Sequence, residues 1–371
     1  MAWPEKQRSG RWAGKYRDSQ GVVRSAGTFK HRAEALREAG KKEVDTRRSL
    51  QRNPDAHKRT WDSWCTEWWE SRTVEPGTLA RDANRRDVHL IPKWTGIPLG
   101  QITRQDVKSW AADLGRTKLS AATVQRIVHL FSASLNAAVD AEILVANPAA
   151  RIKLPPVTPT KNRYLTHDEY QAILEQLPTD DDELLVQFLT HTGMRFGELA
   201  GLHWHRLDLK RQQVTVVDVF DEVQGEIKAY PKGKRARVVP LPDDLVVELA
   251  KKKRTAGPCP VSHRTGICRS GLVFTTTAGT VVHRSNWATV FRAAVANANL
   301  GTDEEPVALE HATIHDLRHT YASWLIQNGV SLADVGKLLG HVSPSTTQQY
   351  AHLAETDRSA ILRALRPPEA R

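Results

Sequence analysis

The sequence predicts a multidomain α+β protein, and three patterns along its 371 residues support that class. Aromatic and basic residues alternate over 10–17, as in a strand, and helix-forming residues follow from 32 to about 50. Residues 60–154 carry apolar side chains at helical spacing. After a proline-rich stretch at 154–159, helices mix with short β-rich runs. We therefore expect a three-stranded sheet with a helix, an all-helical domain, and a mostly helical α+β domain with a small antiparallel sheet.

The first segment, 1–59, concentrates the positive charge of the chain. It holds 16 basic and 7 acidic residues, whereas 60–155 hold 12 and 10 and 156–371 hold 25 of each. A small basic unit on a near-neutral body is typical of nucleic-acid binding. The three ranges are the predicted domains.

Within that segment, residues 10–17, 22–24 and 28–30 predict three short strands, with a turn at 18–21. A three-stranded ribbon fits the major groove of DNA. A solvated basic face is the alternative, and the pattern alone does not separate the two. The candidate DNA contacts on one face of this sheet are Arg11, Lys15, Arg17 and Arg24.

The second segment, 60–155, is rich in tryptophan. Trp61, Trp64 and Trp68 fall at i, i+3 and i+7, so one helix presents them as a stripe. We expect this stripe to pack in a core rather than to stack on bases. Thr103 and Ser120 are predicted to begin further helices.

The third segment carries six polar side chains that suit phosphodiester chemistry. Two arginines can grip the non-bridging oxygens, a hairpin lysine can protonate the leaving oxygen, and a tyrosine can attack phosphorus. Arginine and lysine supply the positive charge, so we expect no metal and no cofactor. The six are Arg195, Lys232, His315, Arg318, His341 and Tyr350, with Lys234 as the alternative hairpin lysine.

The order and spacing of these residues resemble the tyrosine recombinases of the phage integrase family. That family's signature has an arginine in a Thr-Gly-x-Arg-x-x-Glu type motif, a hairpin lysine, His-x-Leu-Arg-His, Leu-Gly-His, and a tyrosine nine residues later. The match covers about 164–352. In the preceding ranges, 60–154 resemble the family's helical core-binding domain and 1–59 its arm-binding module.

The resemblance implies a mechanism. Tyr350 would attack a scissile phosphate, form a 3′-phosphotyrosine link and release a 5′-hydroxyl, with Lys232 as general acid. Arg195 and Arg318 would stabilise the transition state. A 5′-hydroxyl from a partner duplex would then attack the phosphotyrosine, so no ATP is needed. The remaining roles are general base or proton shuttle for His315 and phosphate hydrogen-bond donor for His341.

The resemblance also implies partners and a location. The chain would act on double-stranded DNA at core and arm attachment sites, as a homotetramer whose C-terminal segment, about 353–371, docks onto a neighbouring subunit. A DNA-bending host factor and an excisionase would assist it in integrating or excising mobile DNA such as a prophage. The odd count of three cysteines and the lack of any long apolar run or signal peptide predict a cytoplasmic, nucleoid-associated protein with no membrane partner.

Two alternatives share parts of this pattern. A type IB-like topoisomerase or a resolvase would use the same chemistry, and the basic first segment favours integration over both. A non-catalytic DNA-binding regulator would have no reason to keep all six residues.

A separate cluster, Cys259, His263 and Cys268, offers three zinc-type ligands within ten residues. A fourth ligand and a Cys-x-x-Cys pair are missing from this stretch, so we expect a loop with unligated thiols.

Overall fold

The chain divides into two compact units, Met1–Pro159 and Thr160–Arg371. The division into three domains at 59 and 155 stays a prediction. The computed structural model describes all residues except 1, 18–21, 53–57, 158–162, 230–235, 254–256, 265–267, 303 and 354–371, and it describes 45–52 by the backbone alone. The predicted turn at 18–21 and the docking segment after 353 therefore lie outside the described residues.

The first unit opens with a three-stranded antiparallel sheet in the order β1-β2-β3, followed by a helix, α1. Their bounds are Trp3–Lys6, Trp12–Arg17, Val23–Phe29 and Arg32–Arg52. The predicted stretches 22–24 and 28–30 fall largely within one strand, β3. This strand stays paired with β2 along its length, across a shift in register between Gly14 and Lys15. The third strand is instead β1, which the sequence analysis missed.

Helix α1 lies close against this sheet at Gly14. A Cβ atom added there would sit 2.5 Å from the carbonyl oxygen of Ala35. Glycine therefore allows the backbones of β2 and α1 to approach each other.

The rest of the first unit is helical, as predicted. The helices are α2 Trp61–Glu70, α3 Pro76–Arg85, α4 Ile91–Trp94, α5 Arg104–Gly115 and α6 Ala121–Asp140. The side chains of Thr103 and Ser120 accept hydrogen bonds from backbone amides at the starts of α5 and α6, which confirms both predicted caps. A π-helical turn joins α3 to α4, where Pro92 offers no amide hydrogen.

The tryptophan stripe packs in the core of this helical part. Trp61, Trp64 and Trp68 are all buried, and the ring of Trp94 stacks on Phe131 with 4.4 Å between centroids. The indole nitrogens of Trp61 and Trp64 donate to Ser134, so their polar ends are satisfied inside the core. The expectation of a structural stripe is confirmed.

The second unit is built mainly from helices α7 to α14. They span His167–Leu174, Asp180–Thr192, Phe196–Ala200, Asp243–Lys253, Arg284–Asn297, Ile314–Gln327, Leu332–Leu339 and Pro344–Gln348. A 3₁₀ turn, Ala351–Leu353, follows α14. Helices α8 and α12 pack against each other in the middle of one apolar core.

Its strands form two three-stranded sheets rather than the single sheet expected. One has the order β4-β5-β8, with bounds Leu207–Asp208, Gln213–Val216 and Arg237–Pro240. The other has the order β6-β7-β9, with bounds Asp218–Asp221, Glu226–Ala229 and Ser262–His263. The β-rich run at 213–220 splits at Val217, and its two halves pair with different partners. Strands β7 and β9 pair in parallel.

Within the described part of the chain, no helix has both the length and the apolar character to cross a membrane.

Candidate active site

A buried carboxylate binds the first predicted arginine, Arg195, and a second arginine, Arg237. The Glu198 side chain is 1% exposed and accepts from Arg195 Nη1 at 2.9 Å and from Arg237 Nη2 at 2.5 Å. Burial alone would raise the pKa of Glu198, but hydrogen bonding and charge from Arg237, with the charge of Arg195, hold that pKa below its usual value. Glu198 is therefore ionised at neutral pH and fixes the Arg195 guanidinium at the start of α9.

The second predicted arginine, Arg318, is buried on α12 and fixed by backbone carbonyls. Its Nη2 donates to the Leu339 carbonyl at 2.6 Å, and its Nη1 donates to the Gly193 carbonyl. Burial, then the charge of Arg195, lowers the pKa of Arg318 to about 9, which leaves the side chain charged at neutral pH. The orientation of this guanidinium is therefore fixed by its own helix α12 and by the carbonyls at the ends of α8 and α13.

Gly193 makes that arrangement possible. It ends α8 with φ of 59°, and a Cβ there would lie 2.3 Å from the Tyr321 ring. Only glycine adopts this left-handed conformation without a clash, and its carbonyl then faces Arg318.

Arg195, His315 and Arg318 line one cavity of about 200 Å³. His315 lies one helical turn before Arg318, as its spacing predicted. The structure thus brings together both predicted arginines and the first histidine. Arg284 adds a further cation to the same cavity wall.

His315 is exposed to solvent. Its ring contacts the His319 ring edge to face, with 4.8 Å between centroids. Partial desolvation, followed by the charges of His319 and Arg318, lowers the pKa of His315. The ring is therefore neutral at pH 7 and has a lone pair to accept a proton.

His341 follows α13 and lines a neighbouring cavity that also contains Arg237. Its Nδ1 lies 2.8 Å from the Thr347 hydroxyl. Burial, then the charges of Arg318 and Arg195, lowers the pKa of His341 to about 4. Arg318 donates to the carbonyl of Leu339, two residues before His341, so this histidine lies close to the second predicted arginine.

Tyr350 lies in the core, 3% exposed, and lines neither cavity. Its hydroxyl is 2.5 Å from Nδ1 of His319, which in turn contacts His315. Burial raises the pKa of Tyr350, and the nearby charge of Arg318 opposes that rise. The phenol is thus neutral and held beside the cationic cluster rather than in it.

The two hairpin candidates, Lys232 and Lys234, lie outside the described residues, between β7 and β8.

The four predicted DNA contacts of the first unit do not all share one face of the sheet. Lys15 and Arg17 are alternate residues of β2 and lie on one face, where Lys15 approaches Glu5 at 3.8 Å and Arg17 packs over Trp3. Arg24 pairs directly with Tyr16, so it lies on the opposite face. Arg11 is exposed just before β2.

Three residues were missed in the sequence analysis, two near the predicted catalytic residues and one in the cysteine and histidine cluster. Arg237 occupies an inward position of β8, and a charged residue facing a core implies a buried partner. His319 lies four residues after His315, but its contact with Tyr350 joins distant segments. His203 lies beside the predicted cysteine and histidine cluster and supplies the fourth zinc-type side chain.

Comparisons with known proteins show what the chain is similar to. The model of the Phage integrase family matches residues 163–357, more than half of the chain. A tyrosine recombinase of Thermosipho africanus is 26% identical over 294 residues, covering 76% of this chain and 92% of its own length. Tyrosine recombinase XerD of Corynebacterium glutamicum is 26% identical over 325 residues, 82% of this chain and 97% of its own.

Solved structures share the fold. A lambda integrase dimer bound to a COC′ core site aligns with a TM-score of 0.62 at 19% identity, over 99% of this chain and 97% of that one. The Tn1549 transposon integrase in complex with transposon right end DNA gives a TM-score of 0.69 at 20% identity, over 83% and 100%. The predicted multidomain α+β class is confirmed.

Proposed function

Because the chain belongs to the phage integrase family, we propose that the cationic cavity of its second unit carries out site-specific DNA recombination through a 3′-phosphotyrosine intermediate. The observation that carries this proposal is the cavity shared by Arg195, His315 and Arg318. Family membership and recombinase activity were both predicted from the residues, and the family match and the recombinase relatives confirm them.

The two arginines bind the non-bridging oxygens of the scissile phosphate. Both guanidiniums are fixed before DNA arrives, Arg195 by Glu198 and Arg318 by backbone carbonyls. Fixed donors stabilise the charge that develops in the transition state without reorganising. No metal ion is required for this step, because the protein supplies the positive charge.

Three further residues handle protons. His315, neutral at pH 7, accepts the proton of the nucleophile. Lys232 protonates the departing 5′-oxygen. When the Thr347 hydroxyl donates to Nδ1 of His341, Nε2 of His341 carries the ring's proton, and this N–H donates a hydrogen bond to a phosphate oxygen.

Tyr350 must move to react, since its hydroxyl is held by His319. On binding DNA, the phenol leaves His319 and turns to the phosphorus, in its own subunit or in a neighbouring one. The 5′-hydroxyl of a second duplex then displaces the tyrosine. We place the reaction in the integration or excision of mobile DNA such as a prophage.

The first unit extends the same function to DNA binding. Lys15 and Arg17 offer one basic face, and Arg24 the other. We propose that residues 1–59 bind arm sites and 60–155 bind core sites. The active assembly is a homotetramer in the bacterial cytoplasm, at the nucleoid, with a DNA-bending host factor and an excisionase as further partners.

Covalent trapping tests the proposal. Tyr350→Phe removes the nucleophile, so SDS-stable protein–DNA adducts on nicked attachment-site duplexes should fall to background while DNA binding in a gel-shift assay is retained. Buffer without added magnesium should support adduct formation by the unaltered chain.

The matched control is Tyr170→Phe, another buried tyrosine, whose hydroxyl has no hydrogen-bond partner among the described residues. This variant should form adducts at the rate of the unaltered chain. Adducts persisting in Tyr350→Phe would remove Tyr350 from its role. Relaxation of supercoiled DNA with no strand exchange between two attachment sites would favour a topoisomerase.

A further inference from the structure

Four side chains with zinc-type ligand atoms converge in the second unit, outside the catalytic cavity. They are His203, Cys259, His263 and Cys268, and their ligand atoms all lie within 4.8 Å of one another. The first comes from a position 56 residues before the second, so local sequence does not account for the grouping. Two thiols and two imidazoles form a Cys₂His₂ set, which is a common composition of structural zinc sites.

The distances within the cluster suit one shared ion. Cys259 Sγ lies 3.5 Å from Nε2 of His203 and 3.5 Å from Nε2 of His263. Zinc bonds of roughly 2.3 Å to sulfur and 2.0–2.1 Å to nitrogen, set at the tetrahedral angle, separate such ligands by about 3.5 Å. A single central ion therefore suits the two Cys259 pairs as they stand, and the other pairs, which are up to 4.8 Å apart, would close around it.

The hydrogen bonding of His203 orients it as a metal ligand. Its Nδ1 is 2.9 Å from the carbonyl oxygen of Gly201, which can only accept, so Nδ1 carries the proton. That leaves the lone pair of Nε2 facing Cys259. Histidines that bind metals usually donate their other ring nitrogen to a carbonyl or a carboxylate in this way.

The fold holds the ligands from different segments. His203 is bridged to Leu272 by backbone pairing, and the amide of Trp204 donates to the Gly271 carbonyl at 3.1 Å. His263 belongs to the two-residue strand β9, which pairs with β7. A shared ion would tie residues 257–264 and 268–272 to the segment that follows α9 and to this sheet.

We propose that His203, Cys259, His263 and Cys268 bind one Zn²⁺ ion as a closed structural site. Two sulfurs and two nitrogens favour zinc over magnesium or calcium, which prefer oxygen ligands. With all four positions filled by protein, the ion has no place for a substrate and takes no part in DNA cleavage. It stabilises strand β9, and through it strand β7, which leads towards the hairpin lysines.

Metal analysis of the full-length chain, purified without a metal-affinity tag, tests the site. We expect about one zinc ion per chain by mass spectrometry of the metal content. After zinc is replaced by Co²⁺, the visible spectrum should show intense d–d bands of tetrahedral geometry and a thiolate-to-cobalt charge-transfer band.

Cys268→Ser removes a zinc ligand without disturbing the core, because the Cys268 side chain is exposed. A change at His203, which is fully buried, would also disturb packing. The Cys268→Ser variant should weaken zinc binding by more than the roughly 10–100-fold that the loss of an outer hydrogen-bond partner costs, measured by competition with a chromogenic chelator. The matched control is Cys65→Ala, which removes the third cysteine, outside the cluster, and should retain one zinc ion per chain.

Three results would overturn the proposal. The first is a reduced chain that carries no zinc and gives no cobalt bands. The second is a disulfide between Cys259 and Cys268 in the freshly isolated protein. The third is zinc content and affinity unchanged in Cys268→Ser.

Discussion

Each unit of the molecule contains a carboxylate shared by two arginines, and the two clusters differ in what surrounds them. In the first unit, Asp82 accepts from Arg72 and from Arg85, both at 2.6 Å. In the second, Glu198 accepts from Arg195 and Arg237. Both clusters contain the same charges at similar distances.

The surroundings decide what each cluster can do. Arg72 packs on the rings of Trp68 and Trp69, with 4.9 and 4.7 Å to the ring centroids, so aromatic faces cover its guanidinium. Arg195 keeps 32% of its side chain exposed and faces the cavity with Arg318. The first cluster fastens helices together, whereas the second holds one guanidinium open to an anion.

The largest effect is expected from Glu198→Gln. Removing the carboxylate charge leaves the buried Arg237 without its ionic partner, which should cost about 3–5 kcal/mol of folding free energy. Hydrogen exchange of peptides from the second unit should report this loss, and adduct formation should fall because one neutral amide oxygen holds Arg195 less firmly than the carboxylate it replaces.

The same variant also removes a pH dependence. The pKa of Glu198 is lowered in the folded state, so its ionisation stabilises the fold above the unfolded-state pKa, and that stability is lost as pH falls through the lower folded value. Acid destabilisation should therefore be shallower in Glu198→Gln. Equal stability of the variant and the unaltered chain would contradict the structural role of this carboxylate.

Asp82→Asn should have a smaller effect. Its two arginines keep 12% and 22% of their side chains exposed, and an amide oxygen still accepts one hydrogen bond, so the expected loss is roughly 1–3 kcal/mol. Exchange should increase in peptides of the first unit alone. Adduct formation per folded molecule should be unchanged, and a loss there would mean that this cluster also serves the chemistry.

The smallest effect concerns the histidine beside the second cluster. The folded pKa of His341 is lowered to about 4, so the unfolded chain takes up a proton first as pH falls below about 6.5. The stability of the unaltered chain should therefore decline from pH 7 to 5 by more than that of His341→Gln. Urea unfolding of the DNA-free protein at several pH values measures the difference, and parallel curves would contradict the shifted pKa.

Local sequence was enough for features that depend on neighbouring residues. Thr103 and Ser120 begin helices because each side chain meets an amide three residues later, and the tryptophan stripe follows helical spacing. The six catalytic candidates were found by their resemblance to a family, since no local rule joins them.

Features that join distant segments could not be predicted. Arg237 meets Glu198 across 39 residues, and His203 meets Cys259 across 56. The prediction of a single sheet was wrong for the same reason. Whether residues 213–220 form one strand or two depends on which segments pair with them. Such pairings depend on how the whole unit packs. The local pattern of one sequence does not predict that packing.

If Tyr350 is the nucleophile proposed above, its hydrogen bond with His319 makes DNA cleavage depend on a change of conformation. With its hydroxyl bonded to His319 and 3% of its surface exposed, the phenol is not positioned to attack phosphorus, so in the proposed mechanism a subunit in this conformation leaves DNA uncut. Withdrawing the phenol gives up one hydrogen bond and its burial, a cost that new contacts made on binding DNA would have to offset. In this proposal, the buried position of one side chain protects DNA from being cut by an unassembled subunit.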